Sequence, residues 1–174
     1  MSKSLCQINP VIVITCLRFV LALPIAWLFK RNPLVALGLF LLAEFTDLLD
    51  GFLARRYSLT TKYGALLDPL ADKAILLASL YGLWQAHLIP GWIFAIVVIR
   101  DTLALTGATL LLKGANILPA NILGKVTAWL FAFAIVSLPF WQTFGMYMLG
   151  LAITGMFVAF ISYAWEFYRI ARGR

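Results

Sequence analysis

The chain's 174 residues are 63% hydrophobic and 12% charged, with a mean hydropathy of +0.96. A soluble domain of this size cannot hide so much apolar surface, so the implied solvent is a bilayer and the length fits one membrane domain over residues 1–174. A net charge of +7 raises nucleic acid as a partner, but the cations are scattered at the ends of apolar runs, which favours lipid headgroups and phosphates and excludes a nucleic-acid binder.

Six apolar runs of roughly 20 residues, enough to cross ~30 Å of hydrocarbon, are predicted. They lie at about residues 10–29, 34–56, 64–86, 91–112, 120–140 and 144–168. The fold expected is all-α, a polytopic membrane protein with six transmembrane helices. Lys3 precedes the first run, but no small-residue cleavage site follows it, so that run reads as a retained span. Lys30-Arg31-Asn32-Pro33, Ile89-Pro90-Gly91, Lys113-Gly114-Ala115-Asn116 and Pro139-Phe140-Trp141 punctuate the breaks. Cys6 and Cys16 have neither metal-binding nor disulfide spacing. Trp84, Trp92, Trp141 and Trp165 fall near run ends as interfacial anchors, and His87, the sole histidine, reads as interfacial too.

With both termini cytosolic, that side receives Lys3, Arg55, Arg56, Lys62, Lys113, Lys125, Arg169, Arg172 and Arg174; the opposite side receives Lys30 and Arg31. Nine cations against two set the orientation by the positive-inside rule. A bacterial inner membrane is the expected location.

Asp47, Asp50, Asp68 and Asp72 are four of the seven acidic residues. A carboxylate at membrane depth is costly unless paired, hydrated or bound to a cation, so such a cluster is a functional site by default. The first pair is three apart and the second four apart, which puts partners on one helix face. At ~1.5 Å per residue, both pairs lie roughly 9–14 Å inside the cytosolic ends of their spans. Four carboxylates converging from two helices suit a pair of hard divalent cations. Gly51 and Gly64 remove bulk beside the carboxylates, Ala54 keeps one face small, and Arg55 offers a forked donor suited to phosphate. Phosphoryl or phosphatidyl transfer on a diphosphate substrate follows from these parts. A structural polar network between helices is the bland alternative. Pro69 marks either a first helical turn or a mild kink.

As a pattern, the segment reads D-x2-D-G-x2-A-R-x8-G-x3-D-x3-D. It resembles the signature of the CDP-alcohol phosphotransferase family, with every defining position present at its spacing. The resemblance implies transfer of a phosphatidyl group from CDP-diacylglycerol to an alcohol with release of CMP, in the cytosolic half of the membrane. It implies two divalent metal sites, Mg2+ or Mn2+, held by Asp47, Asp50, Asp68 and Asp72, with Asp72 also the general base. Gly51, Ala54, Arg55 and Gly64 would line the CDP site. A homodimer is implied as well, although no one-sided stripe of small residues that would specify one is evident.

The intervening residues Phe52-Leu53-Ala54-Arg55-Arg56 and Pro69-Leu70-Ala71-Asp72-Lys73 look most like phosphatidylglycerophosphate synthases, and also like CMP-forming cardiolipin synthases. Thr15 and Arg18 resemble a threonine–arginine pair near the start of these synthases, with Asn9 displaced from its usual place. Arg100-Asp101 and Gly124-Lys125 match the same subgroup. The run Val126-Thr127-Ala128-Trp129 departs from it, where a second lysine and a threonine–glutamine segment are usual. The expected acceptor is glycerol 3-phosphate, its phosphate held by candidates Arg18, Lys73, Arg100 and Lys125. For Arg100, pairing with Asp101 or Glu44 is the alternative role. Rival functions are a cardiolipin synthase using phosphatidylglycerol, a small cation transporter, and an inert metal-stabilised bundle. No inverted repeat or broken helix supports transport.

Overall fold

A computed structural model describes the backbone of residues 10–57, 62–112 and 122–172, and the side chains of residues 15–49, 67–104, 106, 123–162 and 165. Six helices and no strand occur among them: α1 Pro10–Arg31, α2 Pro33–Tyr57, α3 Lys62–Gln85, α4 Gly91–Leu112, α5 Ile122–Ser137 and α6 Gln142–Arg172. Each falls on one predicted apolar run. By length and composition, Gln142–Ser162 is the one stretch among the described residues that is long and apolar enough to cross a membrane; Leu123–Ser137 is apolar but shorter. The arrangement of six spans is therefore not carried by helix length and hydropathy alone.

The helix ends follow local chemistry. Asn32 separates α1 from α2: its amide donates to Leu28 O at 2.7 Å, and its Oδ1 accepts from Val35 N at 3.3 Å as an N-cap. Pro33 then occupies the first helical position, where a missing N–H costs nothing. Above this turn, the Arg31 guanidinium lies 3.7 Å from the centre of the Trp27 ring. Pro69 sits inside α3, beyond its first turn. The first-turn reading is thereby excluded.

The chain divides into two compact units, Met1–His87 and Leu88–Arg174. In the first, α1 packs on both α3 and α2. Thr15, Arg18, Ala22, Ile25 and Phe29 form its buried stripe, at alternating three- and four-residue steps. Ala36, Phe40 and Ala43 do the same on α2, and Ala71, Ile75, Leu80 and Leu83 supply the buried face of α3. Gly82 permits the close approach of α3 to α1. A Cβ there would lie 2.8 Å from Phe29 Cβ and 3.0 Å from Ala26 O.

In the second unit, α5 packs on α6 through Phe131, Ala134, Ile135 and Leu138 against a stripe of Leu149, Ala152, Met156 and Ala159. Gly145 brings the start of α6 against the turn: a Cβ there would meet Leu138 Cα and N at 2.8 Å. The other faces of these helices are apolar and exposed, as at Leu23, Val20, Leu151 and Ile161. Hydroxyls within the helices mostly satisfy themselves: Ser79, Thr102, Thr127 and Thr154 each donate to a carbonyl one turn back on their own helix, at 2.7–2.9 Å.

His87 closes the end of α3. Its amide donates to Trp84 O at 2.9 Å, and its φ of 58° makes it the one non-glycine residue in the left-handed region among those described. A Cβ there costs about 1–2 kcal/mol, and glycine is the usual occupant of such a helix end. Because glycine also costs more backbone entropy on folding, His87→Gly is expected to raise stability by only about 0.5–1 kcal/mol. A thermal midpoint in detergent equal to or below that of the parent protein would contradict this reading.

Candidate active site

Three of the four predicted aspartates come together at one end of the first unit. Asp47 continues the buried row of Ala36, Phe40 and Ala43 on α2 by one more turn. Asp68 and Asp72 lie one turn apart on α3, beside buried Ala71. The same packing that aligns apolar residues over most of α1, α2 and α3 therefore brings their polar continuations together.

What the carboxylates surround is Arg18. Its Nη1 donates to Asp47 Oδ1 and to Asp72 Oδ1, both at 2.5 Å, and its Nη2 lies 3.6 Å from Asp68 Oδ1. Thr15, one turn earlier on α1, donates its hydroxyl to Asp68 Oδ1 at 2.7 Å. Unlike most hydroxyls in these helices, it reaches across to a neighbouring helix. The burial is asymmetric: the Arg18 side chain is 2% exposed, against 41% for Asp47, 38% for Asp68 and 55% for Asp72. The guanidinium forms the floor, and the carboxylates rise from it towards an open side.

Removing such a floor is costly. Without it three close carboxylates would repel one another, a cost that water screens in part because each is well exposed. Arg18 nevertheless brings one positive charge to three carboxylates. The excess negative charge and the all-oxygen donor set suit a hard divalent cation. Among the described residues, no three acidic, histidine or cysteine side chains close on a common point as they would around an ion; these three close on the guanidinium instead.

The other predicted residues divide into three groups. The side chains of Asp50, Gly51, Ala54, Arg55 and Gly64 lie outside the described residues. Lys73 is half-buried on α3, next in sequence to Asp72. Arg100 and Lys125 belong to the second unit. There, Arg100 Nη1 donates to buried Asp101 at 2.7 Å, and its Cζ lies 5.9 Å from the centre of the Phe160 ring. The pairing with Asp101 is one of the alternatives the sequence allowed. Lys125 is exposed.

Two features of the site go beyond the sequence reading. The sequence offers Arg18 as a candidate for the acceptor phosphate, and the structure shows its guanidinium engaged with the aspartates; a lone arginine in an apolar run gives no sign of which helix it will face. From the sequence alone Glu44 is a candidate partner for Arg100. It stands one turn before Asp47 and within electrostatic reach of Asp72, Asp47 and Arg18, and its three-residue spacing from Asp47 was the available signal.

The chain is 41% identical over 101 residues to the CDP-diacylglycerol–glycerol-3-phosphate 3-phosphatidyltransferase of Bacillus subtilis (strain 168), a match covering 58% of the chain and 52% of that protein. The chain thus spans about half the length of that relative. A protein of the same name from Sodalis glossinidius (strain morsitans) is 33% identical over 146 residues, covering 81% of the chain and 79% of that protein. A probable cardiolipin synthase (CMP-forming) of Drosophila melanogaster is 38% identical over 86 residues, covering 49% of the chain and 26% of that protein. The model of the CDP-alcohol phosphatidyltransferase family matches residues 10–164, a range that takes in α1, all four aspartates and most of α6, and the chain belongs to that family.

Proposed function

We propose that the chain transfers a phosphatidyl group from CDP-diacylglycerol to the hydroxyl of glycerol 3-phosphate, releasing CMP. The observation that carries this reading is the meeting of Asp47, Asp68 and Asp72, from two helices, on the open side of one buried cation. The carboxylates fit divalent metal, Mg2+ or Mn2+, by donor chemistry and by charge, with Asp50 as the fourth ligand and two sites in all. Bound there, the metal would neutralise the diphosphate and stabilise the leaving CMP.

The residues of the chain supply the rest. Asp72, the most exposed of the three carboxylates, takes the proton of the acceptor hydroxyl as its oxygen bonds to the phosphorus that carries diacylglycerol. The bond from that phosphorus to the CMP oxygen breaks, and CMP leaves. Gly51, Ala54, Arg55 and Gly64 line the CDP site, with Arg55 on its phosphates. Of the remaining candidates for the acceptor phosphate, Lys73 stands on α3 next in sequence to Asp72.

Six helices spanning the membrane, with both termini and the open side of the aspartates towards the cytosol, complete the reading as a single membrane domain that works as a homodimer in a bacterial inner membrane. The apolar outer faces at Leu23, Val20 and Ile161 support it, since a helix apolar on every side belongs in lipid or in a core. Acyl chains would enter sideways from lipid while the polar acceptor arrives from the cytosol.

A second reading, a cardiolipin synthase using phosphatidylglycerol, is favoured by the similarity to the Drosophila protein of that name. One assay separates them: CMP release by the purified protein with CDP-diacylglycerol and Mg2+ or Mn2+, with glycerol 3-phosphate and phosphatidylglycerol supplied in parallel. Release that depends on glycerol 3-phosphate is expected. Release with phosphatidylglycerol alone would replace the first reading by the second, and silence with both would sink the two together.

A further inference from the structure

We infer that Arg18 is a positioning residue of the metal site: a permanent floor that orients the three ligand carboxylates rather than a ligand of the acceptor phosphate. The inference rests on the reading that Asp47, Asp68 and Asp72 hold divalent metal.

Three observations carry it. Arg18 engages the Oδ1 atom of each carboxylate, two through Nη1 at 2.5 Å and one from Nη2 at 3.6 Å. Hydrogen bonds on one oxygen each of Asp47 and Asp72 set the rotation of those two carboxylates, while Asp68 is held at longer range. Thr15 adds a bond of 2.7 Å to the same oxygen of Asp68, so α1 grips α3 by two residues one turn apart. Finally, Arg18 is 1% exposed, while the aspartates are about half open on the other side. A phosphate arriving from the open side would meet the carboxylates before the guanidinium.

Displacement of Arg18 by an entering metal is the competing picture. It would leave a buried guanidinium without its counter-charges, which is strongly disfavoured. With Arg18 in place, its charge offsets one carboxylate and lowers the mutual repulsion that would otherwise splay three like charges apart. Groups that orient metal ligands in this way typically alter metal affinity about 10–100-fold when removed.

The test is Mn2+ binding to the purified protein in detergent, followed by electron paramagnetic resonance, for the parent, Arg18→Gln and Thr15→Val. Arg18→Gln is expected to weaken Mn2+ binding about 10–100-fold. Thr15→Val, which keeps the shape and removes one hydrogen bond, should weaken it less but in the same direction. It also serves as the readout if Arg18→Gln fails to fold. The KM for glycerol 3-phosphate, measured at saturating metal, should stay near the parent value in both variants.

Tighter Mn2+ binding in Arg18→Gln would show displacement and overturn the inference. Unchanged Mn2+ binding with a raised KM for glycerol 3-phosphate would return Arg18 to the acceptor phosphate and overturn it too. Unchanged Mn2+ binding in Thr15→Val alone, where Arg18→Gln does not fold, would likewise count against it. If the parent protein binds no Mn2+ at all, the metal reading itself fails and takes this inference with it.

Discussion

Replacing Asp72 by Asn is expected to reduce CMP release by between about a hundredfold and ten-thousandfold, the usual contribution of a positioned general base. The substitution keeps the size of the side chain and an oxygen that can accept from Arg18, so the three-helix unit should still assemble. It removes the carboxylate proposed to take the proton of the acceptor hydroxyl. The measurement is a steady-state CMP assay beside a thermal unfolding curve of the same preparation. Near-parent turnover in a folded Asp72→Asn protein would remove Asp72 from its assigned role. An accompanying fall in Mn2+ affinity is expected, since the same carboxylate is a proposed ligand.

The second large effect concerns packing. Gly82→Ala is expected to lower the thermal midpoint, although alanine is the better helix former by about 1 kcal/mol. The added Cβ would stand 2.8 Å from Phe29 Cβ and 3.0 Å from the Ala26 carbonyl oxygen. Neither atom is the far end of a flexible side chain, so α1 itself must move. Overpacking of this kind typically costs about 1–3 kcal/mol, which outweighs the propensity gain.

Gly38→Ala is the control, because a Cβ at Gly38 meets nothing within 4 Å and only the propensity gain remains. The site should register the difference too. The shift of α1 against α3 strains the contacts of Thr15 and Arg18 with Asp68 and Asp72, so turnover should fall in Gly82→Ala and hold in Gly38→Ala. Equal stability of the two variants would mean that α1 and α3 do not approach as closely at Gly82 as described.

Six helices, their order and their approximate ends were legible in the residues because each rests on local chemistry. Apolar runs are broken by Asn32-Pro33, Pro90-Gly91 and the segment around Pro139, and the helices begin and end close to those breaks. The aspartate motif was equally local, since three- and four-residue spacings fix a shared face whatever the neighbours do. Family membership follows from that motif and from the match over residues 10–164.

Which face of each helix turns inward was not legible. In a chain that is 63% hydrophobic, the outward-facing and core-facing sides are both apolar, so no amphipathic stripe marks the contact. The rows of Ala36, Phe40 and Ala43, or of Leu149, Ala152, Met156 and Ala159, emerge only once neighbouring helices cover them. The role of Arg18 was hidden for the same reason. Its distance in sequence from the aspartates, 29 residues to Asp47 and 54 to Asp72, carries no information about contact. The residue types and their order determined which helices form and that a carboxylate cluster exists. The packing of α1 against α3, with Gly82 permitting their close approach, decided that a buried guanidinium stands beneath that cluster, because only tertiary structure sets which side chains from distant parts of the chain meet.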